Sequence, residues 1–407
     1  MSEWLQQAIA RADSIQDGFE DQRATSLALL KEIKWPTRKT EAWKYTPLRA
    51  VERSTAIFKE ESPELEPVAV EGLDFLELTF VDGQLVSLPE ELPEGLSIEM
   101  QESSLFATIK PERHIFGLVN DVLAADVAVV TVAEGVAIEQ MLRINNLLSN
   151  GAQGHIRVVV DLKAGSSLKV VENAEGQGAS LTTAFTEYQI GVEANLEHYR
   201  FALQSGDNVA VGGSHFKLFE NAVMNSSIIG FGSDLQRIDT DIIYAGEKAN
   251  AKLNAIYLLD GKELFDLHAN VEHAVPNCTT EENIRGIAGD SSRAVFNGRI
   301  HIHRDAQKTL AELNNRNLLM SNKAEINTKP ELEIYADDVR CAHGATIAQI
   351  DKQALYYLQT RGVSRSQAQL MLSFGFINEL IDQMPTVELA EWVRPIIRDR
   401  FAQMEVK

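Results

Sequence analysis

The chain has 407 residues, of which 38 are basic and 59 acidic, so its net charge is −21 at neutral pH. This balance excludes an ordinary nucleic-acid binder, because there is no basic surplus to neutralise phosphates. No run approaches the ~18 apolar residues of a membrane span, and residues 1–14 lack the apolar core of a signal peptide. Two cysteines, Cys278 and Cys341, cannot build a disulfide framework, so the sequence predicts a reduced cytoplasmic protein with two or three structural units.

Residues 1–125 are predicted to form a mostly helical N-terminal domain. Apolar residues recur at helical spacing in the first 50 positions, and residues 111–124 are predicted to form a further helix. The basic and aromatic segment 35–48 is interpreted as a docking segment whose rings pack on the core. Asp82 and Gly83 separate two alternating apolar runs, which predicts a β-hairpin inside this domain.

Residues 126–346 consist of short β-prone runs separated by Gly, Asn and Asp turns, with no helical period between them. Apolar anchors recur here at a nearly constant step. Leu168, Leu196, Met224 and Leu253 are 28, 28 and 29 residues apart, and Leu310 follows 57 residues later. A period of this length in a strand-only sequence favours a β-helix with one coil per repeat. A β-sandwich with accidental spacing is the alternative.

Residues 347–407 are predicted to form a C-terminal helical domain. Ser364 and Gln367 form a capping-box pattern at the start of one helix, and Pro395 is expected to kink or split the last one. The first of these helices has an apolar face made of Leu370, Phe374, Ile377 and Ile381. We expect the unit to cap the open end of the β-helix, to dock a partner, or to do both.

The candidate chemistry lies in the segment 335–346, whose sequence is YADDVRCAHGAT. Cys341 and His343 are two residues apart on a predicted strand, so their side chains share a face. Thiolate and imidazole are good ligands for iron or zinc, and the adjacent Arg340 is expected to favour the thiolate. Two ligands do not complete a site, so a metal would need further ligands from elsewhere, such as another chain. A Cys–His nucleophilic pair is the alternative, but it needs an orienting group and a substrate pocket.

The remaining motifs indicate neither a familiar catalytic site nor a self-contained metal site. The sequence has no phosphate-binding glycine loop, nucleophile elbow, His-Glu-x-x-His motif or Cys-x-x-Cys pair. His301 and His303 also share a predicted strand face, but solvated side chains at a strand rim are the preferred interpretation. Cys278 follows a turn-like Pro-Asn pair and is interpreted as a half-buried structural thiol.

Several motifs carry a resemblance to a known family. PTRKTEAWKYTPL lies near the N-terminus, SRAVFNGRI, NNRNLLMS and TKPELEIYADDVRCAHGATIAQID lie late in the predicted β-helix, and YLQTRG leads into the closing helices. With these motifs along nearly its whole length, the chain resembles the SufB/SufD family of the SUF iron–sulfur cluster assembly system. The run containing Cys341 and His343 is similar to the SufD branch, because the SufB branch has Glu-His-Glu-Ala at this point.

The resemblance implies a fold, partners and a cargo. The fold is mainly β, with a right-handed parallel β-helix core flanked by N-terminal and C-terminal helical domains. The partners are a SufB-like paralogue, which forms a heterodimer through the β-helix, and a SufC-like ATPase on the C-terminal helices. An iron–sulfur cluster forms transiently at the interface with SufB, with Cys341 and His343 as ligands shared with SufB. A reduced flavin on the complex is also implied, but it matches no residue of this sequence.

Two functions remain open at this point. The first is a non-enzymatic scaffold subunit of a SufB–SufC–SufD complex that supports iron acquisition and cluster formation. The second is an intracellular β-helix enzyme acting on saccharides, which would need paired carboxylates in a cleft. Asp337 and Asp338 are expected to lie on one strand and to point to opposite faces, which disfavours them as such a pair. Since a fold that docks on a paralogue is also suited to docking on itself, a homodimer of the isolated chain is a further expectation.

Overall fold

The structure is a computed structural model that describes residues 3–13, 15, 20–100, 114–176 and 178–405. Its strands are β1 (Phe75–Val81), β2 (Gln84–Ser87), β3 (Leu96–Met100), β4 (Val127–Val132), β5 (Met141–Leu148), β6 (Gln153–Leu162), β7 (Ser167–Gly176), β8 (Ser180–Ile190), β9 (Asn195–Ala202), β10 (Asn208–Leu218), β11 (Val223–Phe231), β12 (Leu235–Tyr244), β13 (Asn250–Leu259), β14 (Leu264–His273), β15 (Thr279–Ala288), β16 (Arg293–Ile302), β17 (Leu310–Leu319), β18 (Glu325–Ile334) and β19 (Arg340–Gln349). Its helices are α1 (Glu3–Ala12), α2 (Glu20–Glu32), α3 (Arg49–Arg53), α4 (Ile115–Leu123), α5 (Lys352–Thr360), α6 (Arg365–Ile381) and α7 (Val387–Glu405), with a 3-10 turn at Glu41–Trp43.

Two sheets form the walls of a parallel β-solenoid, which confirms the predicted β-helix. Sheet I has ten strands in the order β19-β17-β15-β13-β11-β9-β7-β5-β1-β2, and sheet II has nine in the order β18-β16-β14-β12-β10-β8-β6-β4-β3. The chain alternates between the sheets, so each coil contributes one strand to each of them. Parallel neighbours need a crossover connection, and here the strand in the opposite sheet supplies it. The lumen between the sheets is filled by buried side chains such as Phe216, Tyr244 and Phe296.

The predicted repeat is confirmed for its first three anchors. Leu168 pairs with Leu196, and Leu196 pairs with Met224, so the three form one file along sheet I. All three side chains are buried in the lumen. Stacking identical positions of successive coils in this way gives the solenoid a continuous core.

The later anchors do not continue that file. Leu253 is buried but aligns with Ser226, and Leu310 is on the outer side of its strand with 38% of its surface exposed. The file runs instead from Met224 through Ala251, Thr280 and Ala311 to Cys341. The coils beyond β11 differ in length, so a fixed step drifts out of register with them.

The strands of the solenoid extend past the limits predicted at 126 and 346. β1 already pairs in parallel with β5, and β19 continues to Gln349. The hairpin predicted at Asp82 and Gly83 joins β1 to β2, and both residues have positive φ, 50° and 86°. A Cβ on Gly83 would lie 2.6 Å from the backbone nitrogen of His155, so this turn needs glycine.

The N-terminal helices cover the outer face of sheet II. They share a buried cluster with the strands, formed by residues that include Trp4, Leu30, Trp43, Phe116, Phe185, Val211 and Leu235. Trp43 lies under the guanidinium of Arg237 at 3.9 Å, so the segment 35–48 docks through this ring as predicted. The start of the helix predicted from residue 111 lies outside the described residues, and α4 begins at Ile115.

The C-terminal helices α6 and α7 lie on the outer face of sheet I. Their buried cluster includes Ile377, Ile381, Leu389, Val393, Phe201, Ile229 and Leu258. The expectation that this unit caps the open end of the solenoid is therefore wrong for α6 and α7. These helices instead cover the apolar outer face of sheet I. The capping box of Ser364 and Gln367 is present, and α7 continues through Pro395 without being split.

The two ends of the solenoid differ. At one end the sheets finish with β2 and β3, which pair antiparallel with β1 and β4. At the other end, called here the open end, they finish with the ten-residue parallel strands β19 and β18, which have no described strand beyond them. Among the described helices, none combines the length and the hydropathy needed to cross a membrane.

Candidate functional site

Cys341 and His343 lie on β19, at the open end. Cys341 aligns with Ala311 and His343 with Leu313 on β17, and both of these partners are buried in the lumen. Since residues in register on parallel strands point the same way, Cys341 and His343 both lie on the lumen side of β19. The predicted shared face is present, and each residue is the last member of a file that runs through the solenoid.

The two side chains differ in their surroundings. Cys341 is half-buried and packs against the lumen core, whereas His343 is exposed. Burial raises the pKa of the Cys341 thiol above its usual value, and a hydrogen bond with the backbone of Ala311 offsets this only in part. Arg340 is exposed on the opposite side of the strand and does not contribute, so the expectation that it favours the thiolate is wrong. A metal ion arriving at the open end would itself bring about deprotonation.

Large apolar side chains are also exposed at the open end. Ile334, Tyr335 and Ile347 are 41%, 60% and 44% exposed. Exposed apolar surface of this kind is typical of sites where another chain binds. The arrangement can therefore supply two metal ligands from a surface that a partner would cover.

Asp337 and Asp338 do not lie on a strand. They form an exposed bend between β18 and β19, where the N–H of Lys308 donates to the carbonyl of Asp338. The expectation that they point to opposite faces of one strand is therefore wrong. Their role in this structure is to turn the chain from sheet II to sheet I.

The four residues predicted to dock a partner differ in exposure. Ile377 and Ile381 are fully buried against sheet I, and Leu370 and Phe374 are partly buried in the same cluster. The large apolar side chains that this unit exposes instead include Tyr356, Tyr357, Met371 and Val387. Much of the face predicted from the periodicity therefore holds α6 on the solenoid.

The structure places His301 and His303 in ion pairs at the rim of sheet II, and Cys278 in the core. His301 Nδ1 is 2.8 Å from Glu333 Oε2, and His303 Nε2 is 3.0 Å from Glu272 Oε1, at the partly exposed rim of sheet II. The Cys278 side chain is fully buried, not half-buried, and its thiol donates to the carbonyl of Gly246 at 3.4 Å. Burial raises the pKa of this thiol, which is the behaviour of a structural cysteine.

Sequence reasoning missed a buried ionic cluster in the lumen. The Glu172 carboxylate accepts hydrogen bonds from Tyr188 at 2.9 Å, Arg200 at 2.5 Å and Ser214 at 2.8 Å, and His198 lies 2.9 Å away. Burial alone would raise the pKa of Glu172, but Arg200 and the other partners lower it to about 2. Because its charge is compensated, the cluster is a stable part of the core. No local motif signals it, since its members come from four strands.

A second cluster was also missed, on the outer face of sheet II. His114, His215 and Asp241 are all buried, and their nitrogen and oxygen atoms lie within 4.8 Å of one another. The sequence separation hides this cluster, because His114 precedes α4 whereas the other two residues lie on β10 and β12.

Comparison with known proteins gives a consistent family. The family described as "SUF system FeS cluster assembly, SufBD core domain" matches residues 145–376, which include Cys341 and His343. The iron–sulfur cluster assembly protein SufD of Escherichia coli K12 is 31% identical over 379 residues, which cover 90% of this chain and 89% of the relative. Protein ABCI7, chloroplastic, of Arabidopsis thaliana is 25% identical over 431 residues, covering 97% and 88%. A SufBD family protein of Synechocystis is 31% identical over 215 residues, covering 53% and 48%.

Proposed function

The chain belongs to the SufB/SufD family of SUF-system iron–sulfur cluster assembly proteins, and on this premise we propose that it is a non-enzymatic, SufD-type scaffold. It acts in the cytoplasm within a complex with a SufB-like paralogue and a SufC-like ATPase. Its cargo is iron and the nascent iron–sulfur cluster, which is built where the open end meets the paralogue. Cys341 and His343 supply part of the ligand set, and the paralogue supplies the rest.

The position of Cys341 and His343 at the open end carries this proposal. Thiolate and imidazole both ligate iron in iron–sulfur clusters, but one such pair leaves the coordination incomplete. Neither side chain is fully buried, so exchange of ligands there does not require the core to open. The exposed rim of Ile334, Tyr335 and Ile347 gives a partner apolar surface to cover, which would shield a cluster from water.

For the ATPase, we propose the C-terminal helices as the docking surface. Leu370 and Phe374 contribute the parts of their side chains that remain accessible, together with the exposed Met371. Ile377 and Ile381 contribute by fixing α6 on sheet I, so their part in docking is to present the helix. The reduced flavin implied by the resemblance is assigned to the assembled complex and to no residue of this chain.

The test is cluster loading of the assembled complex with the Cys341→Ser and His343→Ala variants. We expect both variants to assemble with the paralogue and the ATPase, because neither side chain is fully buried in the core. Iron and acid-labile sulfide on the purified complex should fall well below wild type, because the ligand set is then short of one donor. His303→Ala, which removes a partly exposed histidine of sheet II, is the control and should load normally.

Two results would count against the proposal. If both variants load clusters as wild type does, the pair is structural. If the complex falls apart while the isolated variants stay folded, the side chains are contact residues of the interface and their assignment as ligands fails.

A further inference from the structure

We propose that His114, His215 and Asp241 bind a divalent first-row metal ion, Fe(II) or Zn(II), at a site separate from the Cys341–His343 pair. The three side chains are buried and come from three parts of the chain that meet on the outer face of sheet II. Two imidazoles and one carboxylate form the donor set of non-haem iron sites and of many zinc sites.

Asp241 is the centre of the arrangement. Its Oδ2 lies 2.7 Å from His114 Nε2 and 2.9 Å from His215 Nδ1. Tetrahedral ligands at metal distances of about 2.0–2.2 Å lie about 3.4 Å apart, so an ion needs these contacts to open by about 0.5–0.7 Å. Gly213 leaves room for the His215 ring, since a Cβ at this position would lie 2.7 Å from His215 Nε2.

Polar groups lie behind Asp241 and His114. The Asn270 amide donates to Asp241 Oδ1, and Asp239 Oδ2 lies 3.8 Å from His114 Nδ1. Arg237 in turn holds the Asp239 carboxylate with hydrogen bonds of 2.8 and 3.0 Å. At 3.8 Å the Asp239 carboxylate is too far from His114 Nδ1 for a hydrogen bond, so it acts on this ring through its negative charge.

A cavity of about 400 Å³ provides access to the site. It lies between sheet II and residues 33–43, and both His114 and Asp241 line it. Asn270, Asn297, Arg299 and Glu331 contribute polar groups to the wall of this cavity. Water or another exchangeable ligand can complete the coordination from this side.

The competing occupant is a proton on His114. Asp241 and Asp239 both face this ring, so a proton on His114 would be held by two carboxylates. A proton on His114 uses one imidazole, whereas a metal ion uses both rings that converge on Asp241.

The proposal can be tested by metal titration of the full chain after removal of bound metal with a chelator. Zn(II), and Fe(II) without oxygen, should bind at one ion per chain, and the Cys341→Ser/His343→Ala double variant should retain this ion. His114→Gln should lower the metal affinity by about 100-fold or more. Loss of an outer-layer partner typically lowers metal affinity by about 10–100-fold, and loss of a direct ligand lowers it further. His303→Ala is the matched control and should bind as wild type does.

Two further readouts separate a ligand from a structural side chain. X-ray absorption of the bound ion should show only nitrogen and oxygen neighbours, with imidazole scattering and no sulfur. The metal should raise the Tm of wild type and of His303→Ala but not that of His114→Gln, each compared with its own metal-free form. An ion with sulfur neighbours, an ion lost in the double variant, unchanged affinity in His114→Gln, or no bound ion would each overturn the proposal. If His114→Gln does not fold, Asp241→Asn and the wild-type absorption spectrum decide.

Discussion

Glu282 on β15 is a carboxylic acid that points into the lumen. It is fully buried, and neither side-chain oxygen has a hydrogen-bond partner within the described chain. It aligns with Leu253 and Leu313, in the file that ends at His343. Burial raises the pKa of Glu282 to about 8, so the folded chain keeps this group protonated at neutral pH.

Glu282→Gln is expected to reduce the pH dependence of the free energy of unfolding between about pH 4.5 and 8. The unfolded chain releases this proton near pH 4.5 and the folded chain near pH 8. Each unit of pH rise in this window therefore destabilises the wild type by up to about 1.4 kcal/mol, because only the unfolded state gains from ionisation. Glutamine has no such proton, so the variant should be the more stable protein at about pH 8. Urea unfolding at about pH 5 and pH 8 measures the difference.

Glu281→Gln is the matched control for this experiment. Glu281 is the exposed neighbour on the outer side of β15, so its substitution should leave the slope unchanged. Parallel slopes for wild type and Glu282→Gln would show that Glu282 ionises normally in the folded chain.

At the residue scale, the sequence predicts the relative positions of side chains that are close along the chain. It does not predict which distant side chains the fold brings together. The two-residue spacing placed Cys341 and His343 on one face of β19, as the structure has them. The spacing between His114 and Asp241 carries no such signal, because the solenoid must form before the two elements meet. Glu282 was missed for a related reason: only its register with buried neighbours reveals that it points into the lumen.

At the scale of elements, the periodicity predicted the coils but not what covers them. The step of 28 residues holds while the turns keep one length, and it fails after Met224, where the turns change. A periodic pattern shows that one face of α6 is apolar, but it does not show whether a partner or the chain's own sheet covers that face. The outer face of sheet I is apolar as well, and covering it accounts for Ile377 and Ile381.

Two substitutions in α6 separate packing from docking. Ile377→Ala is expected to lower the free energy of unfolding by about 2–5 kcal/mol, because it removes a fully buried side chain and leaves a cavity. Met371→Ala, at a position 55% exposed, should change stability by less than about 0.5 kcal/mol. Met371→Ala should nevertheless weaken binding of the SufC-like ATPase, which co-purification and a binding titration would measure.

The control for docking is Val387→Ala at the start of α7, an exposed position away from Met371 in the chain. It should bind the ATPase normally. Normal binding by Met371→Ala would place the docking surface elsewhere on the C-terminal unit. Unchanged stability of Ile377→Ala would mean that α6 does not depend on sheet I.

At the scale of the whole molecule, the open end and the net charge together favour a different chain as the partner. The open end exposes the edge strands β18 and β19 together with apolar side chains. Edge strands pair readily with other chains, so such an edge needs a cover. Two copies of a chain with net charge −21 repel each other, which weakens a homodimer, and a less acidic paralogue avoids this repulsion.

Only every second backbone N–H group of β19 is available for pairing at the open edge. The N–H of Arg340 donates to Thr309 in the direction of β17. Since backbone groups alternate in direction along a strand, the N–H groups of Cys341, His343 and Ala345 point away from β17, toward the open edge. Pairing of a partner strand at this edge would use them.

Ala345→Pro is therefore expected to block assembly with the SufB-like paralogue while leaving the chain folded. Proline removes an N–H that the chain's own sheet does not use, and edge strands tolerate proline at such positions. Ala345→Ser keeps the N–H and is the control, so it should assemble as wild type does. Light scattering of the mixed chains measures the complex, and thermal unfolding of each chain alone verifies the fold. In the isolated chain, any homodimer should strengthen with added salt, because screening reduces the repulsion, and Ala345→Pro should abolish it too. Normal assembly by a folded Ala345→Pro variant would show that the paralogue binds without pairing to β19.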